Sequence, residues 1–201
     1  MSAATTIVMV RHASHGHVGR RLTGRTPGVP LSEIGRAEAT RLAATFAGVA
    51  LQAVFSSPVQ RATETAGPIA EAAGVPLGVA EALNEIDFGE WTGACFSDLE
   101  RDPRWRDWND ARAGGCPPGG EPMGVVEARV AAQFEGWRRD YPDGRVVAVS
   151  HADVIKAALC GVLGLSLDRH GAFDIDPASR STMVVWEGGA KVLGLNERVP
   201  A

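Results

Sequence analysis

Short runs of β-branched and apolar residues recur along the chain, and most are followed by a longer segment with helical periodicity. The runs that predict buried strands lie at 6–10, 52–55, 75–79 and 145–149. Residues 183–186 and 191–195 flank Gly188-Gly189 and predict a closing hairpin. This alternation favours an α/β fold: a mostly parallel sheet flanked by helices on both faces, with an antiparallel edge strand supplied by the hairpin.

The segments between the strands carry apolar residues at three- and four-residue intervals, which predicts amphipathic helices. Ser32 is placed to cap the first helix. Ser57 and Pro58 predict the N-cap and the first position of the second helix, which would put Arg61 in its first turn. Further helices are predicted at 121–140 and directly after residue 151.

Polar residues stand where three of the predicted strands end. Arg11 and His12 follow the first strand, Ser57 follows the second, and Ser150 and His151 follow the fourth. Ligands of parallel α/β sheets bind beyond the carboxyl ends of the strands, which meet at one edge of the sheet. We therefore expect these side chains to converge on one site.

Phosphoryl transfer is a reaction that such a set of residues can perform. It needs positive charge near the non-bridging oxygens, an in-line nucleophile and a proton for the leaving oxygen. Arg11 and Arg61 offer planar, permanently charged groups that match phosphate oxygens. Arg61 is also predicted near a helix N-terminus, whose backbone amides favour anions. The neutral imidazole of His12 is able to attack phosphorus.

Length, composition and charge narrow the class of protein. The chain has 201 residues, 45% of them hydrophobic and 22% charged, which is typical of one globular domain spanning 1–201. A net charge of −4 argues against binding to nucleic acid or an anionic membrane surface. The phosphoryl-transfer chemistry implies that the partner is a small-molecule phosphoester. Three unpatterned cysteines and the absence of a signal-like or membrane-length apolar stretch indicate a cytoplasmic protein. A homodimer is left open.

Five segments of the sequence carry a family resemblance. They are VMVRHA at 8–13, FSSPVQRATETA at 55–66, LNEIDFGEWTG at 83–93, GGE at 119–121 and VVAVSHADV at 146–154. In this order, and with this predicted strand and helix context, the segments resemble the histidine phosphatase (phosphoglycerate mutase-like) superfamily. The resemblance covers most of the chain and implies the fold and the phosphoryl-transfer chemistry of that superfamily.

This resemblance implies a role for each main site residue. His12 is the nucleophile that forms a phosphohistidine, and Arg11, Arg61 and His151 hold the transferring group, with His151 as a hydrogen-bond donor. Glu85 matches the acid of the family, which protonates the leaving oxygen and then activates water. The mechanism implied by the resemblance requires no metal ion and no cofactor.

Less strictly placed positions add substrate contacts and alternatives. Thr23 and Ser57 match residues that line the phosphate or the entrance to the site. Arg20 belongs to a basic loop in which one arginine is expected to meet a second anionic group of the substrate. Asp87 and Glu90 are the alternative candidates for the catalytic acid.

The sequence departs from the family pattern at four positions. Ala13 and Ala152 replace glycines that usually follow the two histidines, and each adds only a methyl group. Val18 stands where many members have an asparagine, and His15 stands where they have a small hydroxyl residue. One neutral phosphate donor is therefore expected to be missing, with His15 or Arg20 as its replacement.

Other residues with reactive side chains are interpreted as structural. His15, His17 and His170 lack the spacing of metal ligands and are expected at the surface. The three tryptophans between residues 91 and 108 are expected to pack in the core or in a flap, and the three cysteines are interpreted as non-catalytic.

Three functions are compatible with these residues. The leading one is hydrolysis of a small phosphomonoester through His12. The alternative is a 2,3-bisphosphoglycerate-dependent phosphoglycerate mutase. Such mutases usually have a longer insertion than this chain has around 86–120, where loops and short helical pieces predict a lid or flap. A short lid favours release of phosphate to water. The least favoured function is a non-catalytic phosphate-binding protein, supported only by Ala13 and Val18.

Overall fold

The computed structural model describes residues 3–200, and within this range six strands form one sheet. The strands are β1 (Thr5–Arg11), β2 (Ala53–Ser56), β3 (Leu77–Val79), β4 (Arg145–Ser150), β5 (Arg180–Trp186) and β6 (Gly189–Glu197). Their order across the sheet is β3-β2-β4-β1-β5-β6. The first four strands of the chain run parallel, whereas β5 pairs antiparallel with β1 and with β6.

Helices fill the connections between the strands. The α-helices are α1 (Glu33–Ala44), α2 (Gln60–Ala73), α3 (Phe96–Leu99), α4 (Pro103–Asp110), α5 (Met123–Asp140) and α6 (Ala152–Leu163). Short 3₁₀-helices span Glu81–Leu83, Gly89–Trp91 and Leu167–Ala172. Across residues 3–200, no helix combines the length and the apolar character that crossing a bilayer requires.

The side chains of β1 alternate between two layers of the core. Ile7 and Met9 belong to a buried cluster that includes residues of α5 and α6. Val8 and Val10 belong to a second cluster, with residues of α1 and α2. A strand buried on both faces has a continuous apolar run rather than an alternating one, as 6–10 does. The α/β fold expected from the sequence is thus confirmed, with helices on both faces.

The closing hairpin supplies the antiparallel edge strand expected from the sequence. This edge strand is β6, which pairs antiparallel with β5. The first strand of the hairpin, β5, also joins the sheet and lies between β1 and β6.

The parallel strands bring their carboxyl ends to one edge of the sheet. The backbone N–H of His12 donates to Ser150 O at 2.9 Å, and that of Ser57 donates to Val149 O at 2.9 Å. The segments that follow β1, β2 and β4 are therefore joined by backbone hydrogen bonds just beyond the strands. This arrangement fixes the starting points from which the predicted site residues project.

The N-cap that the sequence predicted for α2 is wrong. The helix begins at Gln60, with Val59 at the N-cap position. The hydroxyl of Ser57 accepts a hydrogen bond from the backbone N–H of Val59 at 3.3 Å, and it lies 2.8 Å from Nε2 of His151. Arg61 falls in the first turn of the helix, as expected. Ser57 contacts the predicted site instead of capping the helix.

The loop that follows His12 is held against the start of α1. The two carboxylate oxygens of Glu38 accept from the backbone N–H of Ser14 at 2.8 Å and from its hydroxyl at 3.0 Å. The carbonyl of Ser14 lies so near α1 that a Cβ on Gly35 would be 1.8 Å from its oxygen. Only glycine at position 35 allows this approach.

Replacing Gly35 by alanine should therefore destabilise the protein. Because the clashing atom is backbone, the loop after His12 must shift, and we expect a cost of about 1–3 kcal/mol in the free energy of unfolding. Gly136→Ala in α5 is the matched control, since its Cβ would meet the Gln133 side chain at 3.9 Å. Alanine at that helical position should add about 0.5–1 kcal/mol of stability. Urea unfolding measures both variants, and equal stabilities would contradict the close approach.

Candidate active site

A small cavity of about 130 Å³ lies at the carboxyl edge of the sheet, among the predicted site residues. Its lining includes Arg11, His12, Thr23, Arg61 and Glu85. A larger cavity of about 710 Å³ lies elsewhere, between α5, α6 and the closing hairpin. That cavity is lined mainly by small and apolar side chains, with Glu127 as its titratable residue. The chemistry therefore points to the smaller cavity.

His12 is oriented by the backbone on one side of its ring. Its Nδ1 lies 2.9 Å from the carbonyl oxygen of Ala13. A carbonyl only accepts, so this contact assigns the proton to Nδ1 and leaves a lone pair on Nε2. Nε2 accepts from Arg61 Nε at 3.1 Å. Burial, followed by the charges of Arg61 and Arg11, lowers the pKa of His12 well below 6.5, so the ring is neutral and nucleophilic.

Arg61 is the central cation of the site and is 1% exposed. Besides His12, its guanidinium donates through Nη2 to Gly24 O at 2.9 Å and to His151 Nδ1 at 3.1 Å. Its Nη1 is buried with no hydrogen-bond partner among residues 3–200. Buried donors that lack a protein partner are suited to the oxygens of an anionic ligand.

Arg11 lies beside the nucleophile, at the end of β1. Its Nη1 donates to the carbonyl oxygen of Ile175 at 2.6 Å, which fixes the side chain. Its Nε, like Arg61 Nη1, is buried and lacks a partner within the described part of the chain. Both predicted arginines thus line the cavity with spare donors.

His151 lies behind Arg61 rather than in the lining of the cavity. Its ring is fully buried, and burial lowers its pKa well below 6.5. Because Arg61 only donates, Nδ1 of this neutral ring is the acceptor, and Nε2–H donates to Ser57 Oγ at 2.8 Å. For His151 to donate to a phosphate oxygen, as predicted, the Ser57 hydroxyl must rotate and donate to Nε2 instead. A hydroxyl can do either.

Glu85 follows a 3₁₀-helix and is 8% exposed. Its Oε1 accepts from the backbone N–H of Ile86 at 3.0 Å. Its Oε2 lies 3.7 Å from Arg61 Nη2 and 3.5 Å from His151 Nδ1. Burial, with a further contribution from the charge of Asp153, raises the pKa of Glu85 to about 7, against the opposing effect of Arg61. A carboxyl with this pKa is suited to general acid catalysis near neutral pH.

The two alternative acids lie outside the cavity lining. Asp87 is 3.8 Å from Arg25 and accepts from the backbone N–H of Gly89 at 2.9 Å. Glu90 pairs with Arg104 at 3.2 Å, and its side chain is 63% exposed. The geometry therefore favours Glu85 over both.

A half-buried ion network, which the sequence pattern does not reveal, holds the backbone on either side of Glu85. Glu121, the last residue of the GGE segment, accepts from Arg25 Nη2 and from Arg129 Nε, each at 2.9 Å. Arg25 Nε donates to Glu85 O at 2.7 Å, and Arg129 Nη2 donates to Asn84 O at 2.7 Å. The GGE segment marks Glu121 in the sequence. The role of Glu121 becomes clear only from the positions of Arg25 and Arg129 in the fold.

Of the remaining residues predicted to contact the substrate, Thr23, Ser57 and Arg20, one lines the cavity and two do not. Thr23 is buried and lines the cavity. Ser57 is buried behind His151 and reaches the cavity only through that ring. The structure does not bring Arg20 to the cavity, because Arg21, its neighbour, lines it instead. Arg20 lies in the turn at 16–20, and Arg21 follows this turn in a bridge with Cys95.

The expectation that His15 is a surface residue is wrong. Its ring is 8% exposed, lines the cavity and lies 5.3 Å from the ring of His12, centroid to centroid. Burial and the nearby Arg61 lower the pKa of His15 to about 4, so it is neutral. Val18 also lines the cavity, where many family members have asparagine. His15 is therefore well placed to replace the missing neutral donor.

The chain matches the family model of the histidine phosphatase superfamily (branch 1) over residues 7–198. Because this match spans nearly the whole sequence, the protein belongs to that superfamily. The family expected from the sequence motifs is confirmed.

Several similar proteins are named as phosphatases. The chain is 32% identical over 194 residues to phosphoserine phosphatase 1 of Hydrogenobacter thermophilus, covering 94% of this chain and 91% of the relative. It is 31% identical over 176 residues to glucosyl-3-phosphoglycerate phosphatase of Mycobacterium tuberculosis, covering 81% and 77%. Among solved structures, Bacillus stearothermophilus YhfR matches with a TM-score of 0.90 at 26% identity, over 97% of this chain and 98% of that one. The predicted class, a phosphoric monoester hydrolase, is confirmed.

The raised pKa of Glu85 predicts how the first chemical step depends on pH. The protonated acid is abundant below pH 7 and is lost as the pH rises through its pKa of about 7. Single-turnover phosphorylation of His12 by an alkyl phosphate should therefore fall above that pH. General acid catalysis typically contributes about 10²- to 10⁴-fold. With p-nitrophenyl phosphate the fall should be much smaller, since p-nitrophenolate leaves without a proton.

Three variants serve as controls for this pH profile. Glu85→Gln should slow phosphorylation by the alkyl phosphate far more than by p-nitrophenyl phosphate, and should remove the decline above pH 7. Asp87→Asn and Glu90→Gln should keep the wild-type profile. If Asp87→Asn or Glu90→Gln slows the alkyl phosphate selectively and removes the decline above pH 7, while Glu85→Gln does neither, the acid is misassigned.

Proposed function

We propose that this protein hydrolyses the phosphomonoester of a small metabolite through a phosphohistidine at Nε2 of His12. The observation that supports this most strongly is that a neutral His12, whose Nε2 carries the lone pair and accepts from Arg61, shares the cavity with Glu85, a carboxyl whose pKa is raised to about 7. A nucleophile and an acid that coexist at one pH are what transfer from an alkoxide leaving group requires.

In the first step, the Nε2 lone pair of His12 attacks phosphorus and forms a P–N bond. The P–O bond to the substrate breaks, and the leaving oxygen takes the proton of Glu85. In the second step, the Glu85 carboxylate removes a proton from water while the water oxygen attacks phosphorus. The P–N bond breaks, its electron pair returns to Nε2, and inorganic phosphate departs with Glu85 protonated again.

Arginine donors supply the positive charge for both steps in this proposal. Arg61 and Arg11 hold buried guanidinium N–H groups that lack a protein partner among residues 3–200, and both side chains line the cavity. Fixed cationic donors of this kind stabilise the charge that develops on the non-bridging oxygens. The proposed chemistry therefore runs without a metal ion or a cofactor.

The substrate is proposed to be a small phosphorylated metabolite. Two relatives are named as phosphatases of phosphoserine and of glucosyl-3-phosphoglycerate, which supports this size class. The cavity of about 130 Å³ suits a phosphoryl group with the first atoms attached to it. The rest of a substrate would then extend past the cavity entrance.

We also propose that residues 86–120 act as a flap over this entrance, within a single domain spanning 1–201. Phe88 and Phe96 of this segment line the cavity. Trp91 and Trp108 are buried, and their ring centroids lie 5.5 Å apart. These tryptophans belong to the same buried cluster as residues of α5 and α6, which anchors the flap to the core. We place the enzyme in the cytoplasm, which the three free cysteines support.

The test of this function is a comparison of hydrolysis with isomerisation in the presence of a strong chelator. The purified protein should release inorganic phosphate from members of a panel of sugar phosphates, phosphoamino acids and nucleotides in excess EDTA. With 3-phosphoglycerate and 2,3-bisphosphoglycerate it should form little 2-phosphoglycerate, as followed by ³¹P NMR. Isomerisation at rates that exceed phosphate release would identify a mutase instead. Turnover that EDTA abolishes and Mg²⁺ or Zn²⁺ restores would contradict the metal-independent mechanism.

A further inference from the structure

One carboxylate in the cavity is assigned no contact with the substrate by the proposed reaction, which uses only the effect of its charge on the pKa of Glu85. Asp153 lies in the first turn of α6, two residues after His151, and lines the same cavity as Arg11 and Glu85. Its side chain is 22% exposed, so it is accessible from the cavity. A fixed negative group at a phosphate site is unexpected, because it repels the ligand unless it serves another part of that ligand.

Asp153 is held in place through one of its two oxygens. Arg112 Nη1 donates to Asp153 Oδ1 at 2.7 Å, and Arg112 Nη2 donates to Asn109 Oδ1 at 2.7 Å. The guanidinium of Arg112 is also stacked on the ring of Trp108, 3.6 Å from its centroid. Within residues 3–200, the side-chain hydrogen bond that this carboxylate accepts, from Arg112, ends on Oδ1. Oδ2 is therefore available to accept a hydrogen bond from a ligand.

The cavity is small enough that Oδ2 of Asp153 would contact groups of a bound substrate. In about 130 Å³, a phosphoryl group on Arg11 and Arg61 leaves little room, and substituents close to the ester carbon must pass other lining residues such as Asp153. A hydroxyl or ammonium group there would donate to Oδ2. A carboxylate there would place two acceptors of like charge together, in a site from which much of the water is excluded.

We propose that Asp153 is a specificity determinant that selects phosphomonoesters with a hydroxyl or ammonium group near the ester carbon and disfavours those with a carboxylate there. This inference rests on the proposed phosphatase function and narrows its substrate class. Arg112, on this account, positions Asp153 and lowers its pKa, which favours the carboxylate, without contacting the substrate.

A purely structural role for Asp153 makes a different prediction. The pair of Asp153 with Arg112 joins the start of α6 to the end of the flap helix α4, so either residue could matter only as an anchor. Loss of either partner would then loosen the flap in the same way. If Asp153 instead selects the substrate, loss of Asp153 and loss of Arg112 should affect selectivity differently.

The experiment compares two substrates that differ in one group. Glycerol 1-phosphate and 3-phosphoglycerate share the phosphate and the carbon chain, but one ends in CH₂OH and the other in a carboxylate. The ratio of kcat/KM for glycerol 1-phosphate to kcat/KM for 3-phosphoglycerate is measured within each variant. Differences in the fraction of folded enzyme cancel in this ratio, so a destabilised variant still reports selectivity.

The wild type should have a ratio well above one. Asp153→Asn should lower it about tenfold or more, as expected for loss of a hydrogen bond to a charged acceptor and of the like-charge repulsion. Arg112→Met should lower the ratio less than Asp153→Asn does, because Asp153 is still present although it loses the cation that lowers its pKa and holds it in place. Asp107→Asn, on the exposed surface of α4, is the matched control for charge and should keep the wild-type ratio.

Two results would overturn the inference while leaving the phosphatase function intact. One is a ratio for Asp153→Asn that stays within about twofold of the wild type, which is too small a change for a lost charged hydrogen bond. The other is an equal fall of the ratio in Arg112→Met, which would show an anchoring role. Failure of the wild type to hydrolyse p-nitrophenyl phosphate or any ester of the panel would contradict the proposed function itself.

Discussion

The candidate site depends on one physical constraint, the burial of the positive charge of Arg61. A guanidinium that is 1% exposed is costly to bury unless acceptors and opposite charge compensate it. The Gly24 carbonyl and two imidazole nitrogens accept its hydrogen bonds, but Glu85 stays 3.7 Å away and has a raised pKa. Glu85 therefore compensates the charge of Arg61 only in part, and a phosphoryl group bound beside Arg11 and Arg61 would complete the compensation.

The same burial divides the protonation states between the two reacting side chains. Burial and the arginine charges lower the pKa of His12, whereas burial and the charge of Asp153 raise the pKa of Glu85. One low-dielectric cavity thus keeps a histidine neutral and a carboxyl protonated at the same pH, because each loses its charged form. The network of Glu121 with its two arginines holds the backbone that carries the acid.

Much of this arrangement could be predicted from the sequence, and the remainder depends on long-range contacts. Strand ends at Arg11 and His151 and the helical spacing after β2 suffice to bring the main residues to one edge of the sheet. The burial of His15 and the choice of Arg21 over Arg20 depend on the path of a loop, which has no sequence periodicity. Ser57 is predicted both as a helix cap and as a site residue, and only the structure shows its contact with a histidine 94 residues away.

The central claim, a covalent phosphohistidine at Nε2 of His12, is tested most directly by locating the phosphoryl group in the quenched enzyme. Wild-type protein mixed with a small phosphomonoester and denatured within milliseconds should carry an acid-labile phosphate. Peptide mapping should place it on His12. ³¹P NMR should assign it to Nε2, since Nδ1 donates a hydrogen bond to the carbonyl of Ala13. His12→Ala should carry no label and have no turnover, whereas His15→Ala should still be labelled at His12. A phosphate found on another residue, or turnover by folded His12→Ala near the wild-type rate, would contradict the account.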